Sequence, residues 1–288
     1  MRDESDPYDR DGSPMMDAPY EAAPGIHVLP SQVPLPGVGV LPVNAYVLLS
    51  DEPVLIDGGM GADSDEFVDG LASIIDPTAL RWVWLTHDDA DHTGSIQRVF
   101  ELAPQARLVT HAFSALRMTS WWPVPLDRVH AIRVGDRLPV GDRTLRAVAP
   151  PLYDNPTSIG LLDEATGALF SVDSFGALLP QATQDAADVP GEALAGGMQA
   201  WAAADSPWAH LLDRERFGQV LDGVRRLQPS QILSSHLPAA SGTSLGRFLE
   251  VLASVPDAEP AVPPNDEQFA QMVAAMTEQP PQPSLAAT

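Results

Sequence analysis

From about residue 25 onward the chain alternates short apolar runs with polar turns. The runs at 26–29, 44–49, 53–57, 82–85, 107–110 and 168–172 are bounded by Gly, Asp, Ser or Pro and read as strands. The two at 44–49 and 53–57 are joined by Ser50-Asp51-Glu52, a hairpin signal. Alternating positions at 129–134 and 144–148 predict further strands, with turns at 135–137 and 141–143. A strand at 158–162, a turn at 163–167 and a last short strand at 231–235 complete the set. Helical spacing appears at 63–75, 94–102, 111–118 and 245–252. It is plainest at 211–227, where Leu212, Phe217, Val220, Leu221, Val224 and Leu227 share one face before Pro229. Asp63 or Ser64 caps the first of these helices. Strands interleaved with helices predict a single α/β domain over residues 24–256. Residues 177–210 have little strand signal and read as an insertion or lid ending in Trp201 and Pro207-Trp208. Residues 1–23 read as a disordered acidic tail, and 257–288 as an acidic, Pro-rich tail with one short helix at 268–277.

A length of 288 residues suits one large domain with tails. Mean hydropathy is -0.04, and no apolar run approaches the roughly 20 residues of a membrane helix. The acidic start, Met1-Arg2-Asp3-Glu4-Ser5-Asp6, has no apolar core and is unlike a secretory signal, so a cytoplasmic location is expected. A net charge of -23 argues against nucleic acid or an anionic membrane surface as partner. The absence of cysteine excludes thiolate ligands, disulfides and a cysteine nucleophile.

The candidate chemistry is concentrated in Thr86-His87-Asp88-Asp89-Ala90-Asp91-His92-Thr93-Gly94, directly after the apolar run Trp82-Val83-Trp84-Leu85. Loops leaving the C-terminal ends of buried strands are where sheet proteins place their sites. Imidazole and carboxylate together suit a transition metal, and so many donors in one loop suit more than one ion. The competing reading is a polar turn with two solvated histidines. Two later segments end apolar runs in further candidate donors: Asp173 after 168–172, and His236 after 231–235.

His87-x-Asp89-x-Asp91-His92 resembles the His-x-(His or Glu)-x-Asp-His signature of the metallo-β-lactamase superfamily. The carboxylate in its middle position is more similar to the flavo-diiron branch than to the zinc hydrolases. The resemblance covers most of residues 25–250 and implies an αββα sandwich. It implies one metal on His87, Asp89, Asp154 and Asp173, and a second on Asp91, His92, His236 and the same Asp173, which bridges. Asp173 heads Ser-Phe-Gly, and His236 lies in Ser-Ser-His-x-Pro, both similar to family segments. Asp57, ending a strand in Asp-Gly-Gly, orients the metal loop by resemblance or caps a turn on its own chemistry. Two departures matter. Asp89 is one methylene shorter than the glutamate of flavo-diiron sites, and Asp154 stands where the family has histidine. The oxygen-rich donor set favours iron or manganese over zinc, and a carboxylate in that position also resembles the diiron β-hydroxylases of antibiotic biosynthesis.

The function implied is a non-haem diiron protein that binds or activates dioxygen and acts on an unidentified small molecule. Too few residues follow His236 to form a flavodoxin domain, and no FMN-cradling loop is found, so a separate electron-donor protein is expected. Family resemblance also implies a homodimer. The alternative is a dizinc or dimanganese hydrolase of an ester, lactone or phosphodiester, and a third reading is a binding protein without turnover. Tyr153 is placed to offer a hydroxyl near bound oxygen, or else packs. His27 and His130 read as structural. His111 stands behind the ligands or serves its helix, and His210 faces the cavity or solvent. Trp121 and Trp122 cover the site or pack.

Overall fold

The computed structural model describes residues 15–35 and 37–278. One sheet contains β1 (Met15–Met16), β2 (Tyr20–Ala23), β3 (Ile26–Leu35), β4 (Gly39–Leu48), β5 (Val54–Ile56), β6 (Trp82–Trp84), β7 (Arg107–Thr110) and β8 (Val129–Ala131). Its order is β1-β3-β4-β5-β6-β7-β8, with β2 also paired to β3. The other runs β14-β13-β12-β11-β10-β9, from β9 (Arg137–Pro139), β10 (Thr144–Val148), β11 (Gly160–Asp163), β12 (Ala168–Phe170), β13 (Gln231–Leu233) and β14 (Ala240–Ser241). Strands β5 to β8 pair in parallel, as do β12 and β13. Parallel neighbours need crossovers, and helices provide them. These are α1 (Ser64–Ile74), α2 (Ala90–Thr93), α3 (Ile96–Leu102) and α4 (Ala112–Met118) in the first half. In the second half they are α5 (Gly191–Asp205) and α6 (Arg214–Arg225), followed by α7 (Leu245–Ser254) and α8 (Asp266–Glu278).

The two-residue period of the strands sorts their side chains into layers. In β5, Val54 and Ile56 face the space between the sheets while Leu55 packs outward with Phe67 and Leu71 of α1. In β6, Trp84 points between the sheets and Val83 points outward. On the second sheet, Ala168 and Phe170 of β12 face inward, and Leu169 packs outward with Phe217, Leu221 and Val224 of α6 and with Leu249 and Leu252 of α7. Three apolar layers therefore separate four layers of structure, the expected αββα sandwich. Each fully buried Phe or Leu contributes roughly 1.5–3 kcal/mol of transfer free energy, so the strand ends are anchored in buried apolar layers.

The expected tail over 1–23 ends earlier than its composition implied, because β1 and β2 both pair with β3. Their apolar side chains are too scattered to form a run. Tyr20, Ala22 and Ala23 nonetheless reach the layer between the sheets, Met16 packs against the outer layer, and the Tyr20 hydroxyl donates to the Gln184 carbonyl at 3.1 Å. The rest of that tail, residues 1–14, lies outside the described residues. At the other end the expected helix is α8, and residues 279–288 lie outside the description. The expected turn at 135–137 is shorter, since β9 begins at Arg137. Within 177–210, α5 packs Leu194, Met198 and Ala202 into the outer layer of the second sheet. Its burial came from scattered apolar positions among Ala and Gly, where no strong helical stripe announces it.

Candidate metal centre

Strand β6 ends in a layer of buried apolar side chains, so the loop that follows starts from a fixed point. Asp57 then fixes the loop's course. Its Oδ1 accepts from Thr86 N at 2.8 Å, and its Oδ2 accepts from Thr86 Oγ1 at 2.9 Å and meets His92 Nδ1 at 2.9 Å. Gly58 N donates to the His92 carbonyl at 2.7 Å and Gly94 N to the Gly59 carbonyl at 2.8 Å. A Cβ at residue 94 would stand 2.1 Å from Gly61 N, so only glycine allows this approach. Asp57 itself sits at φ 61°, and Val172 and Phe175, flanking Asp173, sit at 58° and 68°. Non-glycine residues in this region cost on the order of 1–3 kcal/mol each and are tolerated where surrounding structure compels them. Three such residues border one site. The carboxylate of Asp57 reaches Thr86 and His92 across the loop, which accords with the loop-orienting reading.

Three imidazoles meet at Asp173. His236 is carried by the loop after β13, which β4 clamps from the opposite sheet: Asn44 Nδ2 donates to the Leu237 carbonyl at 2.8 Å and the Tyr46 hydroxyl to the Ser234 carbonyl at 2.6 Å. The outward nitrogen of each ring is occupied. His92 Nδ1 is held by Asp57, His236 Nδ1 by the Pro42 carbonyl at 2.8 Å, and His87 Nδ1 lies 3.1 Å from Thr86 Oγ1. A partner on Nδ1 leaves Nε2 free to act as donor to a metal, and all three Nε2 atoms turn inward. Asp173 Oδ1 lies 3.1 Å from both His92 Nε2 and His236 Nε2, whereas Oδ2 lies 3.4 Å from His87 Nε2. Asp91 Oδ2 lies 3.5 Å from His92 Nε2 and 3.4 Å from His236 Nε2, and Asp89 Oδ2 lies 3.6 Å from His87 Nε2.

These spacings suit a shared cation better than direct bonding. With metal–ligand bonds of about 2.0–2.2 Å, neighbouring donors stand roughly 2.8–3.6 Å apart. Both Asp173 oxygens and His92 Nε2 are buried and make no proper hydrogen bond among the described residues. Buried orphans of this kind are expensive, and metal would satisfy all three, so the donor set fits a dinuclear centre. Among the described residues, the seven expected donors fall into three groups with donor atoms mutually within 4.8 Å, His87, His92 and Asp173; Asp91, His92 and His236; and His87, Asp89 and Asp154, and a fourth group joins Asp154 and Asp173 to Asp205. All seven sequence-expected donors thus come together.

The charges differ across the centre. Burial opposes the imidazolium forms of His92 and His236, but adjacent Asp91 and Asp173 outweigh it and raise both pKa values. Burial and the charge of His92 lower that of His87. Burial would raise Asp173, yet His87, His92 and His236 hold it well below the usual carboxylate range. Asp154 goes the other way. Partial burial, a hydrogen bond shared with Asp89, and the charges of Asp173 and Asp205 push it up to about 8.

Around Asp89 a polar network absent from the sequence expectations takes hold. Asn155 Nδ2 donates to Asp89 Oδ1 at 2.8 Å, while Arg117 Nη2 donates to Asn155 Oδ1 at 2.9 Å and pairs with Asp88. Asp88, inside the motif but turned away from the donors, is thereby a support of Asp89. Asp205 is a second omission, bringing a carboxylate within 4.8 Å of Asp154 and Asp173. The other candidates are assigned elsewhere. His111 Nδ1 accepts from Phe113 N at 3.1 Å and caps α4, His130 packs edge-on against Trp82, and exposed His210 meets the Pro207 carbonyl. Trp122 is buried against Phe100, whereas Trp121 is exposed. Tyr153 is partly exposed and packs its ring on Trp208, centroids 5.3 Å apart.

The chain has similarities to known proteins. A family described as ODP family beta lactamase matches residues 41–236, a span containing all seven donors. A flavo-diiron protein of Clostridium acetobutylicum is 28% identical over 134 residues, 46% of this chain and 34% of its own length. The anaerobic nitric oxide reductase flavorubredoxin of an Enterobacter species is 28% identical over 134 residues, 46% of this chain and 28% of its own. The matched segment thus spans about a third of the length of these relatives. The rubredoxin oxygen:oxidoreductase of Desulfovibrio gigas superposes with a TM-score of 0.75 at 19% identity, covering 84% of this chain and 62% of that one.

Proposed function

The chain belongs to the ODP family of β-lactamase-fold domains, whose description matches well over half its length, and from that premise we propose that it is a non-haem dinuclear iron oxidoreductase acting on dioxygen. The observation that carries this reading is Asp173, whose two orphaned oxygens divide between His87 on one side and His92 with His236 on the other. His87, Asp89, Asp154 and Asp173 would hold one iron, and Asp91, His92, His236 and Asp173 the other. Carboxylates at both Asp89 and Asp154 favour a hard metal over zinc. Relatives named for diiron, oxygen and nitric oxide chemistry lend support and make nitric oxide the competing oxidant.

A reduced iron pair, when bound, supplies the electrons that a diatomic oxidant accepts. The chain's own part is positional. Asp57, the Pro42 carbonyl and Thr86 orient the three imidazoles, and Asn155 with Arg117 holds Asp89 toward His87. Tyr153, next to Asp154 in sequence and packed on Trp208, is the candidate hydroxyl for this chemistry. Electrons would come from a separate donor protein, and the strong negative charge would steer a basic one.

The test is metal content by mass spectrometry on protein purified without added metal or chelator, with an optical spectrum of the same sample and oxygen uptake under a chemical reductant. About two irons per chain with near-ultraviolet absorption and reductant-dependent oxygen uptake is the expected result. Two colourless zincs persisting after growth in iron-rich medium would overturn it in favour of the hydrolase. Uptake of nitric oxide alone would keep the centre and replace the substrate.

A further inference from the structure

Two tryptophans bracket Asp205, which ends α5. Trp201, one turn earlier, donates through Nε1 to the Asp173 carbonyl at 3.2 Å, and its ring lies 4.5 Å from that of His236. Trp208, three residues later, donates through Nε1 to the Tyr153 carbonyl at 3.1 Å. The end of α5 is therefore tied to the residue that divides the two pockets and to the neighbour of Asp154. Residue 176 must be glycine for this to happen, since a Cβ there would stand 2.4 Å from Trp201 Nε1. The result is a group of three carboxylates, Asp154, Asp173 and Asp205, with donor atoms mutually within 4.8 Å.

Nothing in the helix itself asks for a carboxylate at this position. The C-terminal end of a helix carries the negative end of its dipole and favours cations, and α5 has no basic residue in its last turn. The hydrogen bond to the Asp205 carboxylate is from Ser206 Oγ, at 3.3 Å. Like charges this close repel unless a proton or cation lies between them. Besides the like charges, an unpartnered buried group points to a cation: Asp173 is 2% exposed, and both its carboxylate oxygens lack a proper hydrogen bond among the described residues.

We propose that Asp205 is an eighth protein ligand of the centre, delivered by α5 to the metal shared by Asp154 and Asp173. The first pocket then takes His87, Asp89, Asp154, Asp205 and the bridge, four carboxylates to one imidazole. Asp205 offsets the histidine missing at position 154 with a second hard oxygen donor, which selects iron or manganese more strongly at this pocket than at the other. The segment read from sequence as a lid is thereby part of the metal site. This inference rests on the dinuclear reading above.

The experiment uses the full chain and Asp205→Asn, which keeps shape and the Ser206 contact but removes the charge, with Asp188→Asn on the exposed turn before α5 as control. Iron(II) alone is titrated anaerobically against a competing chelator, and melting is followed with and without metal. The wild type should take up two irons, and Asp205→Asn should bind one of them about tenfold or more weakly. The same variant, freed of carboxylate repulsion, should melt higher than wild type without metal and gain less on adding it. That crossing is the signature, because a merely structural aspartate would lower both melting temperatures. Two irons bound by Asp205→Asn with unchanged affinity would overturn the proposal and leave the dinuclear centre standing. Failure of the wild type to bind iron would overturn both, and the two failures are told apart by the wild-type titration alone.

Discussion

The two halves of the centre are built by different means. Around Asp91, His92 and His236 the donors are two buried imidazoles and one carboxylate, and each imidazole is pinned at its back, by Asp57 or by the Pro42 carbonyl. Around His87, Asp89 and Asp154 there is one buried imidazole, and the carboxylates reach the surface. Without a metal the halves also balance charge differently. Imidazolium character on His92 and His236 offsets Asp91 and Asp173, whereas Asp154 stays neutral by holding its proton up to about pH 8. The first arrangement is preorganised by the fold. The second rests on carboxylates nearer solvent, with Asp89 held by Asn155, and such a pocket is the one expected to exchange ligands.

The largest test removes the element both halves share. Asp173→Ala should abolish stoichiometric metal binding at both pockets, measured by mass spectrometry of the purified variant, and His92→Ala should empty the second pocket first. Full metal content in either variant would show that the ligand set is misassigned. Asp57→Asn comes next and separates the halves. Asn tolerates the left-handed φ that Asp57 adopts, so the backbone should survive, while His92 loses the charge behind its Nδ1. Losing such a partner costs about 10- to 100-fold in metal affinity. The loss should be confined mainly to the second pocket, and equal weakening at both would remove the distinction drawn here.

Much of this contrast was legible in the chain before any fold was known, because ligands at strand ends carry local signals. His87, Asp89, Asp91 and His92 share one loop, and Asp173 and His236 each follow a short apolar run. Sheet layering was equally plain, since strands such as β5 and β12 are apolar on both faces. The rest was set by long-range contacts that leave no local trace. Asn155 and Arg117 support Asp89 from 66 and 28 positions away in sequence and look like ordinary polar residues. Asp205 closes an Ala-rich helix, and its placement depends on two indole hydrogen bonds to backbone carbonyls. The strands β1 and β2 were hidden because a pair of residues on an existing sheet needs no hydrophobic run.

Asp154→His tests whether the oxygen-rich pocket is built around its carboxylate. Histidine there restores the donor type usual in the family, so two metals should be retained, with zinc gaining on iron at the first pocket. Competition between the two metals, read by mass spectrometry, gives the shift. Loss of both metals would mean that Asn155, Asp205 and the Tyr153 loop fit only a carboxylate.

The smallest effect is in pH, and it distinguishes the sources of charge. Metal requires Asp154 ionised and His92 and His236 neutral. Asp154 has its pKa raised from 3.8 to about 8, so the metal-free fold gains stability from its protonated form at low pH and loses it as pH rises through about 8. Binding at the first pocket must therefore strengthen from pH 6 to 8 as this proton leaves. At the second pocket the raised imidazoles give the same direction from a different source, the loss of imidazolium protons from His92 and His236. Asp154→Asn removes one source only. It should weaken the first pocket at pH 8 and lessen its dependence between pH 6 and 8 without abolishing it, because Asp205, pushed up to about 7 by burial and the charge of Asp173, still gives up a proton there, while the second pocket keeps its full slope. Calorimetric titration in two buffers of different ionisation enthalpy counts the protons released. An unchanged count in Asp154→Asn would show that the first pocket takes its metal without displacing a proton from Asp154, and that the two halves balance their charge alike.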